Sequence, residues 1–177
     1  MPTTNMKKFS YGLLVYRTTS GQLEVLIAHM GGPFHAKKDA GHWSIPKGID
    51  DSGTREEPIA IAKREFSEEL GLPAPGGELI ELGAVDYKSG KKTVQTWAVE
   101  ADLNVSNIQS NTFEMEWPPK SGKKQSFPEI DRAAYFDLTT AAAKLIPEQA
   151  EFLDRLAEKM SLPLGPQADP PDQASLL

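Results

Sequence analysis

Apolar positions along the chain fall first into short β-rich runs, then into a helical period, then into strands again. The run Tyr11-Gly12-Leu13-Leu14-Val15-Tyr16 and the run Leu23-Glu24-Val25-Leu26-Ile27-Ala28 flank Thr18-Thr19-Ser20-Gly21, which predicts two strands joined by a turn. Residues 30–41 contain Gly31-Gly32-Pro33 and read as a loop, 43–45 as a short strand, and 46–55 as a second loop. Residues 57–70 carry the clearest helical pattern. Pro58 suits its first turn, Gly71 its C-terminal cap, and Pro73 forbids continuation. Residues 79–87 and 93–103 predict two further strands connected through Ser89-Gly90-Lys91-Lys92. Residues 118–122 read as loop, 133–136 as a last short strand, and 139–146 and 147–160 as helical. From Ser161 onward there are four prolines and almost no apolar periodicity. One domain over 1–160 and a flexible Pro-rich tail over 161–177 are therefore expected.

Composition narrows the chemistry. The 177 residues are 39% hydrophobic and 25% charged, enough to build one core. A formal net charge of −6 disfavours a nonspecific nucleic-acid binder, which needs a broad basic surface. Cysteine is absent, so disulfides, thiolate zinc sites and a cysteine nucleophile are excluded. The three histidines, His29, His35 and His42, are too few and too scattered for a histidine-rich metal site. No apolar run approaches the roughly 18 residues of a membrane helix, and the start of the chain lacks the apolar core of a signal peptide. The reading is a soluble, cytoplasmic protein that engages neither a nucleic-acid polymer nor a membrane.

Candidate chemistry concentrates on the 57–70 helix. With Glu65 at zero and about 100° per residue, Glu68 falls at roughly −60° and Glu69 at roughly +40°, so three carboxylates share a face. Ile59, Ala62, Phe66 and Leu70 occupy a core-facing stripe at roughly +60° to +140°. A solvated acidic face is the plain explanation. Two features oppose it: the acids cluster where the helix dipole disfavours negative charge, and Glu65 and Glu69 form a like-charge i,i+4 pair. A divalent cation offsets both, and carboxylate oxygens without soft ligands suit Mg²⁺ or Mn²⁺.

Arg64-Glu65-Phe66-Ser67-Glu68-Glu69-Leu70-Gly71-Leu72 resembles the core of the Nudix box, G-x5-E-x7-R-E-U-x-E-E-x-G-U with U apolar. Glu56 precedes Arg64 by the seven intervening residues that the box requires. Trp43-Ser44-Ile45-Pro46-Lys47-Gly48 resembles the segment that leads into the box in diadenosine-tetraphosphate-type members. One departure stands out. The box glycine position, six residues before Glu56, is Asp50; Gly48 is the equivalent, so the loop over 49–55 is two residues longer than usual. Gly31-Gly32-Pro33-Phe34 and the segments 110–119 and 127–132 are similar to a bacterial Nudix subgroup described as NTP pyrophosphohydrolases, and the resemblance covers about residues 10–156.

The resemblance implies an α/β fold: a single Nudix domain with a mixed β-sheet sandwiched between helices. It implies Mg²⁺-dependent hydrolysis of a nucleoside diphosphate linked to another group, with Mn²⁺ able to substitute. Glu65, Glu68, Glu69 and the Gly48 carbonyl become expected metal ligands, one carboxylate being able to take the water's proton, and Arg64 an orienter of carboxylates by a paired contact. In many relatives the general base lies on a later segment, where Glu116 and Glu129 are the candidates and Glu114 stands behind them. Lys47 is a candidate phosphate contact, and Phe34, His35 and Trp43 are candidates for a nucleobase pocket, with Trp117 for stacking. Each aromatic also has a plain packing role, and Phe113, Met115 and Trp117 could form a core stripe with the acids facing water. Lys37, Lys38 and the loop lysines Lys120, Lys123 and Lys124 are either phosphate contacts or solvated. Nucleoside triphosphates or dinucleoside polyphosphates are the favoured substrates. ADP-ribose or nucleotide-sugar hydrolysis, or a non-catalytic nucleotide sensor, are the alternatives.

Overall fold

The computed structural model describes residues 7–50 and 55–160. The expected tail over 161–177 and the core of the lengthened loop, 51–54, lie outside the described residues. In chain order the elements are β1 (Lys8–Thr19), β2 (Gln22–Met30), β3 (Trp43–Ser44), β4 (Lys47–Ile49), α1 (Pro58–Leu70), β5 (Leu79–Asp86), β6 (Lys92–Glu100), β7 (Thr112–Glu116), β8 (Lys124–Pro128) and β9 (Ile130–Asp137). They end with α2 (Leu138–Lys144), a 3-10 turn over Pro147–Gln149, and α3 (Ala150–Lys159). Among the described residues, no helix is long and apolar enough to cross a membrane.

Seven strands form one mixed sheet in the order β3-β2-β1-β6-β5, with β4 also on β1 and β9 also on β2. Strand β1 runs parallel to β6, from Lys8 opposite Lys92 to Tyr16 opposite Glu100, and antiparallel to β2 and β4. Both faces are covered, so alternate residues of each central strand enter different cores. Leu13, Val15, Leu26, Ala28, Trp97 and Val99 pack with Ala62, Phe66 and Leu70 of α1. Leu14, Tyr16, Val25, Ile27, Val94 and Ala98 pack with α2 and α3 through Ala141, Phe152, Leu153 and Leu156. This is the helix–sheet–helix sandwich the sequence implies.

Three strand boundaries differ from the sequence reading, each because a neighbour supplies what the local pattern lacks. Lys47–Ile49 reads as loop but pairs with β1 residues 10–12. Lys124–Pro128 has almost no apolar alternation, yet it pairs along its length with β7 in a separate two-stranded ribbon. Strand β9 begins at Ile130 because β2 extends the ladder out to Met30. The 31–42 loop is pinned by His29, whose Nε2 donates to the Lys38 carbonyl at 2.6 Å while Nδ1 lies 2.8 Å from Asp131 Oδ1 on β9.

The end of α1 is stitched to a distant segment. Gly71 sits at φ 67° and donates to Ser67 O, so the helix closes with a left-handed residue. Beyond it, Gln109 N donates to Leu70 O and Asn111 N donates to Glu68 O, both at 3.0 Å, satisfying carbonyls the helix cannot use itself. A Cβ on Gly71 would lie 2.6 Å from Gln109 O. Gly71→Ala is therefore expected to cost about 1–2 kcal/mol from backbone strain, and more from the displaced 109–111 segment. Urea unfolding checks this; an unchanged midpoint would mean that the segment does not dock on the helix end.

Candidate active site

Helix α1 turns Ile61, Ala62, Phe66 and Leu70 into the core, which leaves Arg64, Glu65, Glu68 and Glu69 on the outward side. Arg64 is the brace of this face. Its Nε and Nη2 lie 3.3 and 3.2 Å from the two oxygens of Glu56, and its Nη1 lies 3.2 Å from Glu65 Oε1 and 3.4 Å from Glu68 Oε1. A planar guanidinium can serve several acceptors in this way; a lysine could not.

Glu69 turns toward the sheet, where its Oε2 accepts from the backbone N–H of Lys47 at 3.3 Å. Burial pushes its carboxyl up to about 8. The charge and amide of Lys47 oppose that rise, and Glu129 and Glu65 add to it. Gly48 faces Glu65 so closely that a Cβ would meet the carboxyl carbon at 2.0 Å. A Cβ at residue 48 would displace the Glu65 carboxylate from its place beside β4, and glycine leaves it there.

Glu129 reaches the same face through main-chain bonds. Its N–H donates to Asn111 O at 2.8 Å, and Asn111 N in turn donates to Glu68 O of α1. Its carbonyl accepts from Gly31 N at 2.8 Å, which ties the 31–42 loop to the same point. Partial burial and then the charge of Glu68 raise the Glu129 carboxyl, against the pull of Lys47. Glu116 is placed otherwise. On β7 it is exposed, stands opposite Lys124, and its Oε1 accepts from Gly122 N at 2.9 Å within its own hairpin. Glu114 is likewise exposed, while Phe113, Met115 and Trp117 are half-buried and join neither core.

The aromatic candidates separate. Trp43 is 3% exposed, packs edge-on against His29 and Phe136, and donates to Asp39 Oδ1 at 2.7 Å. It belongs to the core on the face opposite α1 and offers no surface to a nucleobase. Phe34 is 55% exposed, with its ring 5.5 Å edge-on from Trp117. His35 is half-buried and its Nδ1 lies 2.8 Å from His42 Nδ1. Lys37, Lys38, Lys120, Lys123 and Lys124 are exposed on the loop and on the ribbon.

Lys92 was not visible as a site residue in the sequence, where it reads as part of a turn. It opens β6, its side chain is half-buried, and its ammonium lies 5.4 Å from the centroid of the Tyr87 ring. Burial, then the Lys47 charge, lowers its ammonium to about 8. Only the parallel β1–β6 ladder brings residue 92 here, and a non-local pairing leaves no local signal.

Among the described residues, no three acidic or imidazole groups already converge on a point that would enclose a cation. Glu65 and Glu68 lean on Arg64, and Glu69 leans on the Lys47 amide. The donor chemistry nonetheless suits a hard divalent cation: carboxylate oxygens in excess of positive charge, beside a glycine that lets a backbone carbonyl approach.

The NUDIX domain family model matches residues 6–156 of the chain. The fold is similar to a C. elegans Ap4A hydrolase binary complex, at 22% identity and TM-score 0.59 over 87% of this chain and 98% of that one. It is similar to the NUDIX domain of Shewanella oneidensis NrtR complexed with ADP ribose, at 12% identity and TM-score 0.60 over 87% and 88%. It is also similar to a MutT protein from Methanosarcina mazei Go1, at 17% identity and TM-score 0.54 over 88% and 96%. At these identities the likeness is one of fold. No curated protein matches the chain.

Glu69 makes the metal-free protein sensitive to pH. A carboxyl raised from the ordinary 4.5 to about 8 contributes stability that is complete below 4.5 and lost as pH rises through 8. Glu69→Gln removes that titration and keeps an acceptor for the Lys47 amide. The Tm advantage of Glu69→Gln over the metal-free parent is expected to widen between pH 5 and pH 9 in thermal melts with chelator. Parallel curves would refute the buried-carboxylate account.

Proposed function

Because the chain belongs to the Nudix family of hydrolases, we propose that it cleaves a pyrophosphate bond in cytoplasmic nucleoside triphosphates or dinucleoside polyphosphates, using Mg²⁺ with Mn²⁺ able to substitute. The observation that carries the reading is the gathering of Glu65, Glu68 and Glu69 by Arg64 and the Lys47 amide, beside Gly48. On a protein of net charge −6, a cation held by these carboxylates would draw in a multiply charged anion.

Glu65, Glu68, Glu69 and the Gly48 carbonyl would hold the cation, which supplies charge neutralisation at phosphorus and a more acidic bound water. Arg64 fixes the directions of Glu65 and Glu68 through its shared contacts. Lys47 binds a phosphate oxygen. Glu129 takes the proton of the attacking water; its raised carboxyl and its tether to the end of α1 support that role over Glu116, which is occupied in its hairpin. Phe34 and Trp117 offer an exposed aromatic edge for a base.

Glu129→Gln is expected to lower kcat by about 10²–10⁴, and Glu116→Gln by less than threefold. Both are measured on the preferred member of a panel of nucleoside triphosphates, dinucleoside polyphosphates, ADP-ribose and nucleotide sugars with Mg²⁺, and EDTA is expected to abolish turnover. A loss confined to Glu116→Gln would move the base to the ribbon. Preference for ADP-ribose or a nucleotide sugar would overturn the substrate class and leave the hydrolase standing. Tight nucleotide binding without turnover on any compound would favour a sensor.

A further inference from the structure

The chain's three histidines gather at the loop between β2 and β3: His29 beside its start, His35 within it and His42 just before β3. His35 and His42 are both half-buried and face one another, Nδ1 to Nδ1 at 2.8 Å, with ring centroids 5.1 Å apart. Two nitrogens at that distance need a proton between them. One ring must carry hydrogen on Nδ1 and the other a lone pair there. The pair tolerates a first added proton, which goes to Nε2 of the donating ring. It does not tolerate a second, which has to take the accepting lone pair and leaves two like charges facing each other.

The surroundings act in the same sense. Burial, then the charges of His42, Lys38 and His29, lower the His35 imidazole below its ordinary 6.5, with Asp131 opposing. Lys144 reaches the loop from α2, where Asp39 takes its ammonium at 2.8 Å, and Arg132 approaches from β9 over the Trp43 ring. An imidazole whose proton affinity is lowered by the closed loop favours that loop fully above pH 6.5. The contribution is lost as pH falls below that value.

The limb that carries His35 also carries Phe34. It is turned by Gly32, at φ 91°, whose carbonyl accepts from His35 N and Ala36 N at 3.1 and 3.0 Å. Gly32 lies against the Phe113 ring and Phe34 against Trp117, so this limb meets the β7–β8 ribbon. His42 stands on the returning limb, where its carbonyl accepts from Met30 N at 3.0 Å. The imidazole pair thus ties the limb bearing Phe34 to the limb fixed in the sheet.

We propose that His35 and His42 are positioning residues which, by sharing one proton, hold Phe34 beside Trp117 as a nucleobase contact and release it when both are protonated. The inference rests on the aromatic-edge reading above and adds a pH-dependent step in substrate binding.

The test follows KM and kcat on the preferred nucleotide with Mg²⁺ from pH 8 to pH 5.5 for the parent, His42→Asn, His42→Ala and Phe34→Ala. Without turnover, the calorimetric Kd replaces KM. An asparagine amide can donate or accept at the place of Nδ1 and does not titrate. Losing one hydrogen bond should raise KM about fivefold, and His42→Ala should show this already at pH 8. His42→Asn should match the parent at pH 8, and the parent's KM should climb about fivefold above that of His42→Asn by pH 5.5. Comparing the two at each pH cancels titration of the phosphates and of Glu129. Histidine ¹H–¹⁵N correlation spectra at pH 7.5 with EDTA are expected to show one Nδ1 proton in the pair. Both rings unprotonated at Nδ1, or a ratio of parent to His42→Asn that does not change with pH, would overturn the proposal. Parental KM in Phe34→Ala would overturn the aromatic-edge reading as well. A loss in Phe34→Ala beside parental KM in His42→Ala would overturn this proposal alone. Should His42→Ala fail to fold, the ratio of parent to His42→Asn decides.

Discussion

Arg64 spans Glu56, Glu65 and Glu68 with one guanidinium, so the carboxylates of α1 are held close together and the fold has to keep that crowding in place. The energies show why it can. Each exposed like-charge pair on a helix costs a few tenths of a kcal/mol. Burying Phe66 and Leu70, both 0% exposed, contributes about 1.5–3 kcal/mol apiece. Apolar anchoring therefore outweighs carboxylate repulsion several-fold. Where a carboxylate moves into the protein, as Glu69 does, the cost appears instead as a raised affinity for protons.

The parts of this arrangement that were legible in the sequence are those encoded within a few turns of chain. Helix α1 spans Pro58–Leu70 against an expected 57–70, because a proline, an apolar stripe and a capping glycine all lie inside that window. The two-faced central strands were legible for a similar reason, being short, branched and bounded by turn residues. The fold class came with the resemblance of residues 64–72 to the Nudix box.

What escaped was set by pairing across distance. Strand β8 has Phe127 as its one large apolar side chain and exists because β7 lies beside it. Lys92 came opposite Lys8 only through the β1–β6 ladder. Trp43 illustrates the opposite error of inference: an aromatic beside a chemistry-bearing segment invites a binding role, yet successive residues of an extended segment point to opposite faces. The two strands that follow one another here, β3 and β4, have different partners. Trp43 accordingly serves the core under α2 and α3, while Gly48, an odd number of positions on, faces Glu65, and the Lys47 amide reaches Glu69.

The parallel partnership of β1 with β6 also bears on how the molecule comes into being. The paired residues are more than eighty positions apart, and β2 waits still longer for β9. Loop closure over such distances precedes any gain from the ladder. During synthesis from the N-terminus, α1 emerges well before β6 can complete the floor that receives Phe66 and Leu70. For that interval the nascent segment is an amphipathic peptide with an uncovered apolar side. Its crowded carboxylates, a burden in the finished protein, then act as a solubilising coat that keeps the unfinished chain from sticking to itself.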